Sequence, residues 1–208
     1  MRLFDFDGTL VDSNGVWEEL DLRFLERHGL TPTKEYSETV GHSIFPIAAQ
    51  FTKNYYHLDL SPEEIMAEWM DMAWDAYAHH VPMKPGARAF LDRCRAEGED
   101  LALVTACVPE LCRAALARHE LEPYFPQIVY VQELGLEKRD PRAFALTLER
   151  LGAEASACTM YEDSPGGCAS AKAAGLTVVG VYDPFYAGHE AEMRAVCDQY
   201  IRSFTELL

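Results

Sequence analysis

The sequence predicts an α/β fold, in which a parallel sheet is flanked by helices and an all-helical segment is inserted after the first strand. Short apolar runs alternate with helix-length segments from about residue 86 onward, a pattern typical of βαβ units and of a parallel sheet. One further apolar run, at residues 3–6, lies at the N-terminus. Between them, residues 14–80 carry helical patterns and no clear strand pattern. The 208 residues suffice for one core domain and a modest insertion.

These patterns predict two domains. The core α/β domain is expected to comprise residues 1–13 and 83–208, and an all-α cap domain to comprise residues 14–82. The chain shows no internal repeat and no low-complexity segment that would suggest another architecture.

The helices of the insertion are predicted from their caps and apolar spacing. Asp12 or Ser13 can cap a first helix that runs to about His28, followed by a polar link. A second helix is expected over residues 43–56. The third begins at Ser61, because a serine followed by proline and, three residues on, by glutamate is a typical helix start.

The elements of the core are predicted from alternating apolar runs and helix signals. In chain order, they are a helix at 86–97, a strand at 101–105, a helix at 109–119, a strand at 128–131, a helix at 140–152, a strand at 157–161, a helix at 165–174, a strand at 176–181, and a last helix and short strand near 200–201.

Two carboxylates, Asp5 and Asp7, follow the first predicted strand, and Gly8 and Thr9 come next. Residues two apart in an extended chain project to the same face, at the sheet edge where open α/β folds bind ligands. A divalent cation relieves the repulsion between neighbouring carboxylates, and oxygen ligands suit Mg²⁺. One carboxylate can then attack a phosphate while the other transfers protons. The alternative interpretation is a solvated acidic turn.

The charge of the chain limits its partners. A formal net charge of −16, with no basic stripe to offset it, argues against nucleic acid and anionic membranes. An anionic substrate therefore needs local positive potential from a metal ion, a lysine or helix N-termini. Nothing in the sequence predicts the oligomeric state.

Targeting signals and cysteine spacing favour a cytoplasmic protein. No run approaches the length of a membrane span, and the N-terminus lacks the apolar segment of a signal peptide. The six cysteines form no C-x-x-C pair and no zinc-ligand spacing, so free thiols that fill the core are expected.

The string DFDGTLVDS, residues 5–13, resembles the first motif of the haloacid dehalogenase superfamily, in its phosphatase and phosphomutase branch. This resemblance implies a Rossmann-like parallel sheet, dependence on Mg²⁺ and a phosphoaspartyl intermediate on Asp5. It also implies that Asp7 is the general acid and base, and that it offers its backbone carbonyl to the metal. The second acidic residue sets this branch apart from the hydrolytic dehalogenases.

Three later strand ends match the remaining motifs of that superfamily. Thr105, followed by Ala106, matches the second motif and would hydrogen-bond the phosphoryl oxygens. Lys138 matches the third, although glutamate and arginine replace the glycine and proline that commonly flank this lysine. Glu162 and Asp163 match the fourth, so that Asp163 would bind the metal directly and Glu162 directly or through water.

The insertion in such proteins usually selects the leaving group. Trp17, His42 and Phe45 are the predicted substrate contacts in it, together with Gly8, Thr9 and Ala106 in the core. Related sugar-phosphate mutases often carry an arginine near residues 41–45, which this chain lacks, and acidic residues outnumber basic ones in the insertion by twelve to four. Both features favour a monophosphate substrate.

Three functions are compatible with the motifs. The leading prediction is a Mg²⁺-dependent phosphatase that acts on a small phosphomonoester. The alternative is a phosphomutase of the β-phosphoglucomutase type, which shares all four motifs. A non-catalytic protein that binds a phosphorylated ligand is disfavoured, because Asp5, Asp7, Lys138 and Asp163 are all present.

Overall fold

The computed structural model describes residues 1–41 and 45–208. The chain divides into two compact units. We call Met1–Asn14 together with Val81–Leu208 the core unit, and Gly15–His80 the helical unit.

Six strands of the core unit form one parallel sheet in the order β3-β2-β1-β4-β5-β6. The strands are β1 (Arg2–Phe4), β2 (Leu101–Thr105), β3 (Gln127–Tyr130), β4 (Thr159–Glu162), β5 (Thr177–Val181) and β6 (Gln199–Ile201). This is the strand order of a Rossmann-like sheet. The chain adds strands on one side of β1 as far as β3, and then continues on the other side of β1 with β4, so that the order reverses between β1 and β4. Ligands bind at such a reversal, outside the carboxyl ends of the strands.

The regular elements in the described part of the helical unit are all helices. They are α1 (Val16–Arg27), α2 (Lys34–Gly41), α3 (Phe45–Tyr56) and α4 (Pro62–Asp75), and a π-helical turn at Ala76–His80 follows α4. The predicted start of α4 is confirmed, since the Ser61 side chain accepts from Glu64 N and the Glu64 side chain accepts from Ser61 N.

Two predictions for the helical unit are wrong. The first helix is not capped by Asp12 or Ser13, because α1 begins behind Gly15 and the Ser13 hydroxyl is hydrogen-bonded to Asp7 instead. The stretch expected to be a polar link forms α2, where Tyr36 is fully buried. Tyr36 and Val40, four residues apart, are the apolar residues of this helix, and burial of the Tyr36 ring stabilises it.

The core unit also contains helices that cover the sheet. They are α5 (Ala87–Ala96), α6 (Pro109–Arg118), α7 (Pro141–Leu151), α8 (Pro165–Ala173) and α9 (Glu190–Val196). Strand β2 is buried along its whole length, which explains its unbroken apolar run. Beside it, Phe4 of β1 stacks on Tyr161 of β4 with ring centroids 4.7 Å apart. The core is therefore centred on the strands that carry the acidic residues.

Candidate active site

Acidic side chains from two neighbouring strands meet at the carboxyl edge of the sheet. Asp5 directly follows β1, and its backbone N–H still bonds Tyr161 O of β4 at 2.9 Å. Glu162 ends β4 and Asp163 follows it. All three carboxylates are buried, and each offers an oxygen within 4.8 Å of the others. The predicted convergence of these residues is thus present in the structure.

Lys138 is the cation of this cluster. Its ammonium group hydrogen-bonds Asp5 and lies 2.9 Å from Glu162 Oε2. Burial lowers the pKa of Lys138, but Asp5 and Glu162 outweigh burial and raise it overall, so the ammonium stays charged. Burial raises the pKa of Asp5 to about 7, with Lys138 opposing the rise and Glu162 adding to it.

The balance of charge in the cluster fits a divalent cation. Three buried carboxylates form the cluster and Lys138 pairs with two of them, Asp5 and Glu162. Burial together with Asp5 and Glu162 raises the pKa of Asp163 well above its ordinary value. Glu162 Oε2 accepts no well-directed hydrogen bond, although it lies within ion-pair distance of Lys138. Such an excess of buried negative charge on carboxylate oxygens suits a hard cation with oxygen ligands.

In the fourth motif, the residue that caps α8 also holds the Glu162 carboxylate. Ser164 caps α8 by accepting from Gly167 N at 3.1 Å, and its hydroxyl donates to Glu162 Oε1 at 2.6 Å. A Cβ atom on Gly167 would lie 2.5 Å from Glu162 Cδ. Glycine is therefore required at this position for the carboxylate to pack over the helix N-terminus.

Asp7 lies in a tight turn rather than on the strand. The turn is closed by hydrogen bonds from Gly8 N to Val11 O at 2.8 Å and from Leu10 N to Phe6 O at 2.9 Å. Asp7 is half-buried, and its Oδ1 accepts from Ser13 Oγ at 2.6 Å. Its carboxylate is not part of the three-residue cluster formed by the described residues.

Thr105 ends β2 and is fully buried. Its Oγ1 accepts from Cys107 N at 2.9 Å, which leaves the hydroxyl proton available to a ligand oxygen. Ala106 is exposed, and its carbonyl accepts from Gln132 Nε2 at 2.8 Å. These contacts hold the Thr105–Cys107 turn in a defined shape.

The loop of the third motif carries two basic residues, Lys138 and Arg139, and Lys138 is the one that lies in the cluster. The Lys138 side chain is 10% exposed, whereas that of Arg139 is 77% exposed and pairs with Glu137. Glu137 and Arg139, which replace the glycine and proline that commonly flank the lysine of this motif, thus form an ion pair at the surface.

The remaining predicted contacts are distributed between the two units. In the core unit, the buried Thr9 hydroxyl donates to Asp163 Oδ1 at 2.9 Å, so this side chain is held by a carboxylate of the cluster. In the helical unit, Trp17 and Phe45 form an edge-to-face pair with centroids 5.6 Å apart. His42 lies outside the described residues. The substrate contacts assigned to these side chains remain predictions.

Two residues of the site were missed by the sequence analysis. Ser13 bonds Asp7, and Asn14 Nδ2 donates to Asp163 Oδ2 at 2.7 Å. Their sequence signal is the polar run at the end of the first motif, where the sequence predicts that Asp12 or Ser13 caps a helix. Tyr186, by contrast, has no sequence signal of its own. Its pKa is raised to about 12 by burial and by Asp163 and Glu162.

Proteins named as phosphatases are similar to this chain in sequence. Hexitol phosphatase A of Escherichia coli (strain K12) is 29% identical over 184 residues, which cover 88% of this chain and 82% of that protein. A probable pseudouridine-5'-phosphatase of Drosophila melanogaster is 30% identical over 189 residues, which cover 88% and 81%.

Solved structures show the same fold. A structure described as a candidate β-phosphoglucomutase from Thermotoga maritima superposes with a TM-score of 0.85 at 24% identity, covering 100% of this chain and 95% of that one. Within the described residues, every helix is too short or too polar to cross a bilayer. The family model for haloacid dehalogenase-like hydrolases matches residues 2–181, and the chain belongs to this family.

Proposed function

We propose that this phosphatase of the haloacid dehalogenase-like family hydrolyses small phosphomonoesters through an aspartyl phosphate on Asp5. The observation that carries the proposal is the buried cluster of Asp5, Glu162 and Asp163, in which Lys138 pairs with Asp5 and Glu162. Such a cluster combines a nucleophile, a place for a cation and a fixed positive charge.

The first half of the reaction forms the phosphoenzyme. A carboxylate oxygen of Asp5 attacks phosphorus, the bond from phosphorus to the ester oxygen breaks, and Asp7 donates a proton to the departing alkoxide. Lys138 offsets the charge of the transferred group from its position beside Asp5. The free hydroxyl proton of Thr105 and the exposed backbone at Ala106 are the donors to the phosphoryl oxygens.

The second half returns the enzyme to its starting state. Asp7, now ionised, accepts a proton from water as the water oxygen attacks phosphorus. The bond between phosphorus and the Asp5 oxygen breaks, and inorganic phosphate leaves. Asp7 is suited to both steps because it lies in a half-buried turn outside the cluster.

Mg²⁺ is the proposed cofactor. Asp5, Glu162 and Asp163 would hold it with side-chain oxygens, and Asp7 with its backbone carbonyl. When bound, the ion supplies positive charge that neutralises the phosphate and lowers its repulsion toward the carboxylate. The helical unit is proposed to act as the cap that excludes water and selects the leaving group, with Trp17 and Phe45 as contacts.

The names of the relatives suggest where to look for the substrate. Proteins related to this one are named for hexitol phosphates, phosphorylated carbohydrates and pseudouridine 5'-phosphate. We therefore propose a small polyol, sugar or nucleoside monophosphate as the substrate class.

The test is phosphate release from a panel of these monoesters and a generic aryl phosphate, with and without Mg²⁺. Asp5→Asn should abolish turnover, whereas Asp12→Asn should retain it, because the Asp12 side chain in the same segment is 56% exposed and lies outside the cluster. No release from any ester would contradict the proposal. Conversion of a sugar phosphate into its isomer without phosphate release would favour the mutase.

A further inference from the structure

Asn14 makes a contact that the proposed mechanism does not use. It is the last residue of the core unit's first segment, and its Nδ2 donates to Asp163 Oδ2 at 2.7 Å. The other oxygen of the same carboxylate accepts from Thr9 Oγ1 at 2.9 Å. Asp163 is 2% exposed, so these two donors fix both ends of a buried carboxylate.

The local backbone is shaped around this contact. Gly8 has φ of +77°, and a Cβ atom there would lie 2.1 Å from Asn14 Nδ2 and 2.2 Å from Asp163 Oδ2. Any side chain at position 8 would therefore displace the amide from the carboxylate. The glycine of the first motif thus makes room for a hydrogen bond between the start of the chain and the fourth motif.

We infer that Asn14 is a positioning residue for Asp163 and thereby sets the affinity of the site for Mg²⁺. The inference depends on the metal site of the proposed function. The amide is a neutral donor, so it orients the carboxylate without cancelling the charge that attracts the cation. Groups that hold metal ligands in this way commonly change metal affinity by about 10–100-fold when they are removed.

Asn14 and its neighbour act on different carboxylates. Ser13 Oγ donates to Asp7 and Asn14 Nδ2 donates to Asp163. Two consecutive residues therefore hold the proton-transfer group and a metal ligand. Because the two contacts are separate, removal of the Asn14 amide should affect metal binding and leave the Asp7 contact in place.

The experiment measures binding of Mg²⁺ to substrate-free protein by calorimetry, and binding of Mn²⁺ by electron paramagnetic resonance. Asn14→Ala should weaken binding at least about 10-fold, while the Kd of Asn54→Ala stays unchanged. Asn54 is the matched control, because its amide oxygen accepts from Gln50 Nε2 on an exposed face of α3. At saturating Mg²⁺, Asn14→Ala should retain the KM of the wild type for a phosphomonoester.

The outcomes separate this inference from the proposed function. If the wild type binds Mg²⁺ and Asn14→Ala binds it equally well, the inference is wrong and the phosphatase mechanism is unaffected. If the wild type binds no Mg²⁺, both are overturned. If Asn14→Ala does not fold, Asn14→Ser, whose shorter side chain cannot reach Asp163, replaces it. An Asp163→Asn background, where Asn14→Ala should add no further loss, checks that the effect passes through Asp163.

Discussion

Asp5 and Asp7 are two residues apart, yet their surroundings differ. Asp5 is buried and paired with Lys138, whereas Asp7 is half-buried and accepts a hydrogen bond from Ser13. Carboxylates in different environments can take different chemical roles. A charge-compensated carboxylate suits the nucleophile, and a carboxylate outside the cluster suits proton transfer.

The role of Asp7 predicts that Asp7→Asn slows hydrolysis of the phosphoenzyme more than its formation when the leaving group is an aryl oxide. Such a leaving group needs little protonation, whereas the attacking water still needs a base. Steady-state kcat should fall by about 10²–10⁴-fold. Rapid-mixing kinetics should show a burst of the aryl oxide followed by slow turnover, and a kcat within a few-fold of the wild type would contradict the assignment.

The raised pKa of Asp5 predicts that Mg²⁺ binding weakens in acid. Without metal, burial sets the pKa of Asp5 at about 7, so protons compete with the cation below that pH. Between about pH 8 and about pH 6 the Kd for Mg²⁺ should rise by at least roughly 10-fold, the change expected when Asp5 alone releases one proton on binding. Calorimetry across this range measures it, and a Kd that stays constant would show that Asp5 does not bind the metal.

At the scale of single elements, two glycines with the same backbone conformation have different surroundings. Gly86 precedes α5 with φ of +78°, and a Cβ there would lie 2.6 Å from Thr205 N. Gly98 follows the same helix with φ of +73°, and a Cβ there would meet no atom within 4 Å. Gly86 therefore allows two backbone segments to approach closely, whereas Gly98 only allows the chain to turn.

This difference predicts unequal costs of the same substitution. Gly98→Ala should lower the free energy of unfolding by about 1–2 kcal/mol, the cost of a left-handed conformation alone. Gly86→Ala should cost about 2–5 kcal/mol, since overpacking against Thr205 adds to that cost. Urea unfolding of both variants measures the difference, and equal values would contradict the role given to the Thr205 contact.

Helix α2 depends on a buried hydroxyl. Tyr36 OH donates to Asp21 Oδ1 at 2.6 Å and lies 3.0 Å from Thr52 Oγ1, which links α2 to α1 and α3. Burial raises the pKa of Asp21, and the Tyr36 hydrogen bond opposes the rise. The donor therefore stabilises a half-buried carboxylate.

Tyr36→Phe should consequently destabilise the protein by about 1–3 kcal/mol, because it leaves the half-buried Asp21 carboxylate without its donor. Tyr55→Phe is the matched control. Its hydroxyl meets Thr33 Oγ1 at an exposed position and should contribute less than about 1 kcal/mol. Thermal unfolding compares the two variants, and an equal effect would show that the Asp21 contact adds no stability.

At the scale of the whole molecule, a buried ion pair joins distant parts of the chain within the core unit. Lys84 Nζ lies 2.7 Å from Asp183 Oδ2, and both side chains are at most 8% exposed. The backbone N–H of Lys84 bonds Leu10 O at 2.9 Å. Through these contacts Lys84 connects the first motif, the segment where the chain re-enters the core unit, and the residues that follow β5.

Removing one partner of this pair should cost more than removing both. Lys84→Met leaves the Asp183 carboxylate buried without its cation and should lower the free energy of unfolding by about 3–5 kcal/mol. Lys84→Met combined with Asp183→Asn should recover part of that loss. A double-mutant cycle by urea unfolding measures the coupling, and strictly additive losses would show that the two charges do not interact.

Much of the core and of the site could be predicted because both rest on local patterns. Apolar runs identify β1, β2, β4 and β5, since strands buried on both faces carry few polar residues. Asp5, Glu162 and Asp163 directly follow or end such runs, and carboxyl ends of parallel strands meet at one edge of a sheet. Lys138 was identified by its resemblance to a motif.

The amino-acid sequence by itself determined the fold class, the family and the acidic residues at the strand ends. The tertiary structure alone decided which side chains hold them: Thr9 and Asn14 bond Asp163, and Ser13 bonds Asp7 instead of capping α1. A serine or an asparagine is compatible with a helix cap, a turn or a buried hydrogen bond. Which of these forms at Asn14 depends on atoms about 150 positions away, and no local pattern encodes a contact across that separation.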